Sequence, residues 1–148
     1  MAPRGAHLAD LDAVAHVAFR RFSKSSAVTD LSGKRVLIVE DEALLAMTID
    51  DILSDFGCVV IGPALSLNQA QTLAGHEPLD AAVLDVNLGG ASSFGIADIL
   101  RQRSVPFCFV TGYGSASLPP QYAGVPVLAK PYGDAALRAV LRGLLSLD

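Results

Sequence analysis

Residues 81–87, Ala-Ala-Val-Leu-Asp-Val-Asn, place one carboxylate directly after a short apolar run. An apolar run of this length, without polar residues alternating in it, predicts a strand that is buried on both faces, as in a parallel sheet. Asp85 would then lie at the carboxyl end of that strand, where open α/β sheets place their ligand sites. The stretch therefore predicts the kind of sheet and a first candidate functional residue.

A second apolar run, residues 35–39, also ends in acids, which are Glu40, Asp41 and Glu42. In a parallel sheet with strand order 2-1-3-4-5, the first and third strands are neighbours, so Glu40, Asp41 and Asp85 would meet where the strand order reverses. Carboxylates this close repel each other unless a cation lies between them. With oxygen ligands and no nearby His or Cys, the pattern favours Mg²⁺.

From residue 35 onward, apolar runs alternate with segments of helical periodicity, which is typical of βα units and a parallel sheet. The predicted strands are 35–39, 58–61, 80–85, 107–110 and 125–129. The predicted helices cover 43–56, a segment from Ser66 to near Gly75, a segment capped by Ser92 or Ser93, and a segment capped by Asp134. Two glycines and a proline pair in 111–120 predict a loop or a shortened, degenerate fourth helix. The expected fold is α/β, a flavodoxin-like (βα)5 three-layer sandwich with sheet order 2-1-3-4-5.

Two more polar residues, Thr111 and Lys130, fall at predicted strand ends. Lys130 is the only lysine after Arg35, and arginine fills the other basic positions of this part, which indicates that a compact point charge is needed there. A carboxylate nucleophile, a metal, an ammonium group and a hydroxyl group are what is needed to form and hold an aspartyl phosphate. Each residue alone is more often a cap or a solvated surface group. Together at strand ends, they predict phosphoryl chemistry on Asp85.

Length and composition restrict the class of protein. The 148 residues amount to about one domain, and an apolar content of 51% excludes a disordered chain. No apolar run reaches the roughly 18 residues of a membrane span. A net charge of −4 argues against binding to nucleic acid. Cys58 and Cys108 have no metal-ligand spacing and are expected to be buried free thiols, so we expect a cytoplasmic protein without membrane or nucleic-acid partners.

Residues 1–34 differ in character from the rest and are predicted to be an N-terminal extension to a domain that covers 35–148. Apolar residues recur there at helical spacing and predict a short amphipathic helix: Leu8, Leu11, Val14 or Ala15, Ala18, Phe19 and Phe22. Residues 23–34 are predicted to be a polar linker. A frayed N-terminal arm is the alternative interpretation.

From about Lys34 to Leu147, the chain resembles the receiver domains of two-component response regulators. The segments that carry the resemblance are Val-Leu-Ile-Val-Glu-Asp-Glu at 36–42, Val-Leu-Asp-Val-Asn-Leu at 83–88, Val-Thr-Gly at 110–112 and Ala-Lys-Pro-Tyr at 129–132. The resemblance implies that Asp85 is the phosphoacceptor, Thr111 the switch hydroxyl and Lys130 the partner of the phosphoryl group. It also implies a cis peptide bond at Lys130–Pro131.

The same resemblance implies a Mg²⁺ site. Asp41 would be a direct ligand, Glu40 a ligand through water, and the carbonyl group of Asn87 a further ligand beside Asp85. The implied donor is a histidine kinase or a phosphotransfer protein, and the implied receiver of the signal is a downstream effector protein.

The chain departs from the usual receiver pattern at two positions. Gly89 stands where most receivers have a proline, and Leu128 stands where they have the switch aromatic, a function that Tyr113 would take over. Residues 109–114, with the shortened fourth helix, look like the single-domain receivers that partner HWE-type histidine kinases. We therefore expect a stand-alone receiver that signals by phosphorylation-dependent partner binding or acts as a phosphate sink.

Three other functions stay open at this point. An aspartyl-phosphate phosphohydrolase would also use Asp85 as its nucleophile, but Asn87 offers no second acid for general acid–base catalysis. A flavodoxin-like nucleotide binder is disfavoured by the acids that follow the first strand, and a pseudo-receiver scaffold by the intact acceptor set. The receiver hypothesis predicts that residues 112–124 become ordered when Thr111 moves toward the phosphoryl group. The oligomeric state is open.

Overall fold

The computed structural model describes residues 29–112 and 118–147. Seven strands lie in this part: β1 (Arg35–Val39), β2 (Val59–Ala64), β3 (Ala81–Asp85), β4 (Asn87–Leu88), β5 (Ala91–Ser92), β6 (Phe107–Thr111) and β7 (Val127–Ala129). The α-helices are α1 (Ala43–Asp55), α2 (Leu67–His76), α3 (Phe94–Gln102) and α4 (Asp134–Leu144), and two short 3-10 turns cover Thr29–Leu31 and Pro120–Tyr122. No helix within these two ranges is long and apolar enough to cross a membrane.

Five strands form one parallel sheet in the order β2-β1-β3-β6-β7. Counted without the two-residue strands β4 and β5, this order is 2-1-3-4-5, so the predicted topology is confirmed. The register pairs Val39 with Leu84, Asp85 with Val110 and Thr111 with Ala129. Four strands therefore end near one edge of the sheet, and the residues that follow them are neighbours there.

Both faces of the sheet are covered, which confirms the predicted three-layer sandwich. On one face, side chains of β1 and β3 pack with buried residues of α1 and α4, such as Ile49, Leu53, Leu137 and Leu141. On the other face, alternate strand residues pack with α2 and α3. Because alternate residues of a strand point to opposite faces, a strand that is covered on both sides must be apolar throughout, as β3 is until Asp85.

Several predicted element boundaries differ from the structure. The second strand covers 59–64 rather than 58–61, and the fifth covers 127–129 rather than 125–129. Asp134 does not cap α4: Gly133 occupies the N-cap position, and Asp134 is the first helical residue. Ser93 is the N-cap of α3, but its side chain makes no capping bond. Ser66 caps α2 as predicted, since its hydroxyl oxygen accepts a hydrogen bond from the Gln69 amide.

The connection between β6 and β7 has no regular α-helix in its described part, residues 118–126, where a 3-10 turn holds Tyr122. This agrees with the predicted shortening of the fourth helix. Tyr122 is fully buried, and its ring lies 5.4 Å from the rings of both Phe94 and Phe109. Its hydroxyl group donates to Asp98, and the guanidinium group of Arg101 lies 4.9 Å from the ring centroid. The Tyr122 side chain therefore covers the part of the core that a fourth helix would otherwise cover.

The packed domain begins before residue 35, within the stretch that was predicted to be a polar linker. Leu31 is fully buried in the core next to α1 and α4, and Asp30 forms an ion pair with Arg142. The Gly33 amide donates to the Gly57 carbonyl at 2.8 Å. The predicted amphipathic helix lies outside the described residues. Cys58 and Cys108 are buried free thiols, as expected.

Candidate functional site

The carboxyl edge of the sheet gathers the polar residues that follow the strands. Asp85 is the last residue of β3, Thr111 is the last of β6, and Glu40 and Lys130 directly follow β1 and β7. Glu40, Asp85 and Thr111 are buried among otherwise apolar strand ends. The edge forms because parallel strands bring their carboxyl ends to the same side.

Three carboxylates lie together at this edge. One oxygen of each of Glu40, Asp41 and Asp85 can be chosen so that all three lie within 4.8 Å of one another. Such a set of hard oxygen donors fits a divalent cation of the Mg²⁺ type, which takes carboxylate ligands and keeps several waters. The structure therefore brings together the acids that the sequence predicted would meet.

Lys130 lies against two of these acids. Its Nζ is 2.9 Å from Oδ2 of Asp85 and 3.4 Å from Oε1 of Glu40, so it is the cation that partly balances the cluster. The Lys130 amide donates to the Thr111 carbonyl at 3.0 Å, which fixes the start of the loop to β6. The Lys130–Pro131 peptide bond is cis, as the resemblance implied.

The electrostatics of the edge follow from burial and crowding. Burial raises the pKa of Glu40 to about 7; the Glu42 amide that donates to it and the Lys130 charge oppose this shift, while the negative charge of Asp85 adds to it. Burial lowers the pKa of Lys130, but its contacts with Asp85 and Glu40 outweigh burial and raise the pKa above its usual value. Lys130 therefore stays charged at neutral pH, whereas Glu40 with its pKa of about 7 is partly protonated there.

Asn87 and the glycines after it shape the open side of the site. The Asn87 amide donates to Oδ1 of Asp85 at 3.2 Å, and the Gly89 amide donates to Oδ2 of Asp41 at 2.8 Å. Residues 89 and 90 form the two-residue loop of the β4–β5 hairpin, and both have positive φ. A two-residue hairpin turn of this kind favours glycine. Sequence reasoning missed this support for Asp41, although the Gly-Gly pair signals a turn.

These residues line an open cleft of about 320 Å³. The cleft is bordered by the acids Asp41 and Asp85, by Thr111, by Lys130 and by the hairpin residue Gly89. A phosphoryl group in this cleft would meet the ammonium group of Lys130 and the hydroxyl group of Thr111 while facing the Asp85 carboxylate. The side chain of Leu128 is buried, and Tyr113, the proposed substitute aromatic, lies outside the described residues.

Comparisons with known proteins agree with this arrangement. The family described as "Response regulator receiver domain" matches residues 36–142. The phyllosphere-induced regulator PhyR of Methylorubrum extorquens is 32% identical over 110 residues, which cover 72% of this chain and 41% of that protein. The transcriptional regulatory protein PdtaR of Mycobacterium tuberculosis is 30% identical over 86 residues, 57% of this chain and 42% of that protein. The chain thus spans about two fifths of the length of these relatives.

Solved structures show the same fold. The solution structure of SdrG from Sphingomonas melonis Fr1 matches with a TM-score of 0.68 and 36% identity, over 76% of this chain and 97% of that one. The receiver domain of PhyR from Erythrobacter litoralis matches with a TM-score of 0.70 and 28% identity, over 80% of this chain and 95% of that one.

Proposed function

Because the chain belongs to the response regulator receiver domain family, we propose that it accepts a phosphoryl group on Asp85 and signals through contacts that depend on phosphorylation. The donor would be a histidine kinase or a phosphotransfer protein, and the signal would pass to an effector protein. The observation that carries the proposal is the Asp85 carboxylate, which faces an open cleft while Lys130 lies 2.9 Å away.

The proposed reaction is an in-line displacement at phosphorus. An oxygen of Asp85 forms the new O–P bond as the bond from phosphorus to the donor nitrogen breaks, and the electron pair of that bond leaves with the donor imidazole. Lys130 would neutralise a phosphoryl oxygen, and the Thr111 hydroxyl would donate to another. Attack of water on the same phosphorus would later restore the carboxylate.

The acidic cluster supports a requirement for Mg²⁺ in this step. Asp41, Asp85 and the Asn87 carbonyl would hold the ion, and Glu40 would contact it through water. Bound Mg²⁺ supplies positive charge to the phosphoryl oxygens. The Gly89 amide holds Asp41 in place, so that this carboxylate is oriented before a ligand arrives.

The proposal is tested by phosphoryl uptake from a labelled acyl phosphate. We expect stoichiometric labelling of the wild-type chain with Mg²⁺, none after chelation, and none in Asp85→Asn. Asp80→Asn is the matched control because Asp80 immediately precedes β3 at its other end and accepts a hydrogen bond from the Arg35 amide, which an asparagine oxygen can also do. Labelling of Asp85→Asn equal to wild type would overturn the proposal.

The same assay separates the receiver from a phosphohydrolase. A receiver takes up about one phosphoryl group per chain and releases it slowly, whereas a phosphohydrolase would turn over an alkyl phosphate continuously. Since the residue two positions after Asp85 is Asn87, which cannot act as a general acid, we expect no steady turnover.

A further inference from the structure

The two acids that border the open cleft are bonded to different partners. Asp85 lies 2.9 Å from the ammonium group of Lys130, whereas Asp41 accepts a hydrogen bond at 2.8 Å from the Gly89 amide in the β4–β5 hairpin. Gly89 is 48 positions away from Asp41 in the chain. The position of the Asp41 carboxylate in the acidic cluster therefore depends on the shape of the hairpin as well as on the sheet.

Glycine at position 89 provides a group that the usual receiver residue lacks. Most receivers have a proline there, and a proline has no amide N–H and a φ that is fixed at about −65°. Gly89 has a φ of 57°, and its amide is the donor to Asp41. A proline could therefore neither adopt the turn of this hairpin nor make the bond. The departure from the usual pattern supplies a hydrogen bond to Asp41.

The Asn87 side chain closes the turn that presents this amide. Its Oδ1 accepts a hydrogen bond from the Gly90 amide at 3.0 Å, across the two-residue loop. An asparagine side chain that bonds to the backbone of its own turn fixes the conformation of that turn. Leu88, the next residue, is 4% exposed and packs in the core cluster that contains residues of α3. The core therefore fixes one side of the hairpin, and the Asn87 carboxamide fixes its loop.

The backbone of Asn87 is bonded to the other acid. Its amide donates to Oδ1 of Asp85 at 3.2 Å, so one residue contacts Asp85 through its backbone and the loop through its side chain. Three hydrogen bonds thus connect Asp85 to Asp41 through the hairpin. Because like charges repel each other, carboxylates keep a short separation only when each of them is held. The hairpin therefore contributes to the spacing of these two acids.

We propose that Asn87 is a positioning residue of the cation site: its carboxamide holds the loop, and the loop presents the Gly89 amide that holds Asp41. The Asn87 side chain would thus set the affinity for Mg²⁺ through the hairpin rather than by contact with the ion. Groups that orient the ligands of a metal typically change its affinity by about 10- to 100-fold. This role rests on the Mg²⁺ site of the proposed function and specifies how that site is held.

Calorimetric titration of the full chain with Mg²⁺ tests the role of the Gly89 amide. Gly89→Pro removes the donor, and we expect it to bind Mg²⁺ about tenfold more weakly than the wild type. Gly89→Asn is the conservative variant, because it keeps the amide, asparagine tolerates a positive φ, and a Cβ at this position meets no other atom within 4 Å. Its binding should remain close to that of the wild type. Equal affinity in Gly89→Pro and the wild type would overturn the proposal, and so would an equal loss in both variants.

Hydrogen exchange tests the role of the Asn87 side chain. Without Mg²⁺, the Gly90 amide should exchange at least about fivefold faster in Asn87→Ala than in the wild type, because the acceptor of its hydrogen bond is removed. The same variant should bind Mg²⁺ more weakly. Ser92→Ala is the matched control, since Ser92 pairs with Asn87 in the hairpin and both residues are exposed, and it should change neither measurement. Unchanged exchange and unchanged affinity in Asn87→Ala would contradict the positioning role.

A double variant separates action through the hairpin from direct contact with the ion. If the carboxamide acts through the Gly89 amide, Asn87→Ala/Gly89→Pro should bind Mg²⁺ no more weakly than Gly89→Pro alone, since residues that act as a unit are not additive. A further loss as large as that of Asn87→Ala alone would show that the carboxamide acts on the ion directly and would overturn the proposal.

Phosphoryl uptake from a labelled acyl phosphate distinguishes failure of this role from failure of the proposed function. A chain that takes up the label while all the variants bind Mg²⁺ as tightly as the wild type would overturn the positioning role and leave the proposed function standing. A wild-type chain that takes up no label, although the variants differ in Mg²⁺ affinity as expected, would support the positioning role and overturn phosphoryl acceptance on Asp85.

Discussion

At the carboxyl end of the sheet, Glu40, Asp41 and Asp85 crowd together against one lysine, whereas at the opposite end Asp30 lies between two arginines. The Asp30 carboxylate pairs with Arg142 and lies 3.8 Å from Arg138. The first cluster has three acids beside one lysine, whereas the second pairs one acid with arginines. Charge that is balanced within the protein serves the fold, while crowded like charges need a ligand.

The two ends also differ in exposure. The side chains of Glu40 and Asp85 are 1% and 7% exposed, whereas those of Asp30 and Arg142 are 29% and 27% exposed. Like charges in a buried place cost free energy that water does not offset. The crowded acids at the carboxyl end therefore cost free energy, and a bound cation would reduce that cost.

Removal of one cation from each end should give the largest contrast. In Lys130→Met, we expect phosphoryl uptake to slow by about 100-fold, because a charged group that stabilises the transferred phosphoryl oxygens is lost. Arg142→Met should keep the wild-type rate within about twofold. The rate of labelling with Mg²⁺ present is the measurement, and a Lys130→Met rate within threefold of wild type would contradict the proposed role of Lys130.

A change of pH should affect the two ends differently. The pKa of Glu40 is about 7 in the folded protein and 4.5 as its ordinary value, so the folded state holds a proton that the unfolded state releases between these values. The free energy of unfolding should therefore fall as the pH rises from about 4.5 to 7, by about 3 kcal/mol. Urea unfolding at several pH values without Mg²⁺ measures this slope.

The source of that slope is tested by a matched pair of variants. Glu40→Gln should flatten the fall in stability, since the amide does not titrate, whereas Asp30→Asn should leave it unchanged. A fall of the same size in Glu40→Gln would mean that another group is responsible.

Removal of one acid from each end should change stability in different directions. Asp30→Asn should lower the free energy of unfolding by about 1–2 kcal/mol, because Arg142 loses its charged partner. Asp85→Asn should be at least as stable as wild type without Mg²⁺, because one of three crowded charges is removed. Denaturant titrations compare the two variants, and a marked loss of stability in Asp85→Asn would show that the Lys130 ion pair outweighs the repulsion.

Addition of Mg²⁺ should give the smallest of these effects. At ten times its dissociation constant, the ion should raise the free energy of unfolding by about 1.4 kcal/mol. This gain should vanish in Asp41→Asn and persist in Asp30→Asn, which tests whether only the carboxyl end binds the ion. An equal gain in Asp41→Asn would place the binding elsewhere.

The sequence predicted which residues lie at the acidic edge, but it did not predict the hydrogen bond that holds Asp41 in place. Glu40, Asp85, Thr111 and Lys130 each end an apolar run, and that pattern can be detected within a few residues of each position. The bond from the Gly89 amide to Asp41 joins residues 48 positions apart, and no local pattern contains it. The bond forms because β1 and β3 are neighbours in the folded sheet, which places the β4–β5 hairpin beside Asp41.

The burial of Tyr122 shows the same limit. Its position follows a proline pair in a stretch with no helical periodicity, so the sequence predicted only a loop or a degenerate helix there. In the structure, the ring fills the space between Phe94 and Phe109, and the hydroxyl group reaches Asp98. A single buried side chain in a connection between two strands produces no periodic pattern in the sequence, so its burial cannot be predicted from hydrophobic periodicity.

The sequence by itself determined the positions of the five strands of the main sheet and the acids at their carboxyl ends, because apolar runs of strand length followed by charge are local features. Only the tertiary structure decided that Leu31 belongs to the core and that Glu40 is buried enough for its pKa to rise to about 7. Burial and the pKa of a buried acid depend on every element packed around the residue. Those elements come from distant parts of the chain, and folding alone brings them together.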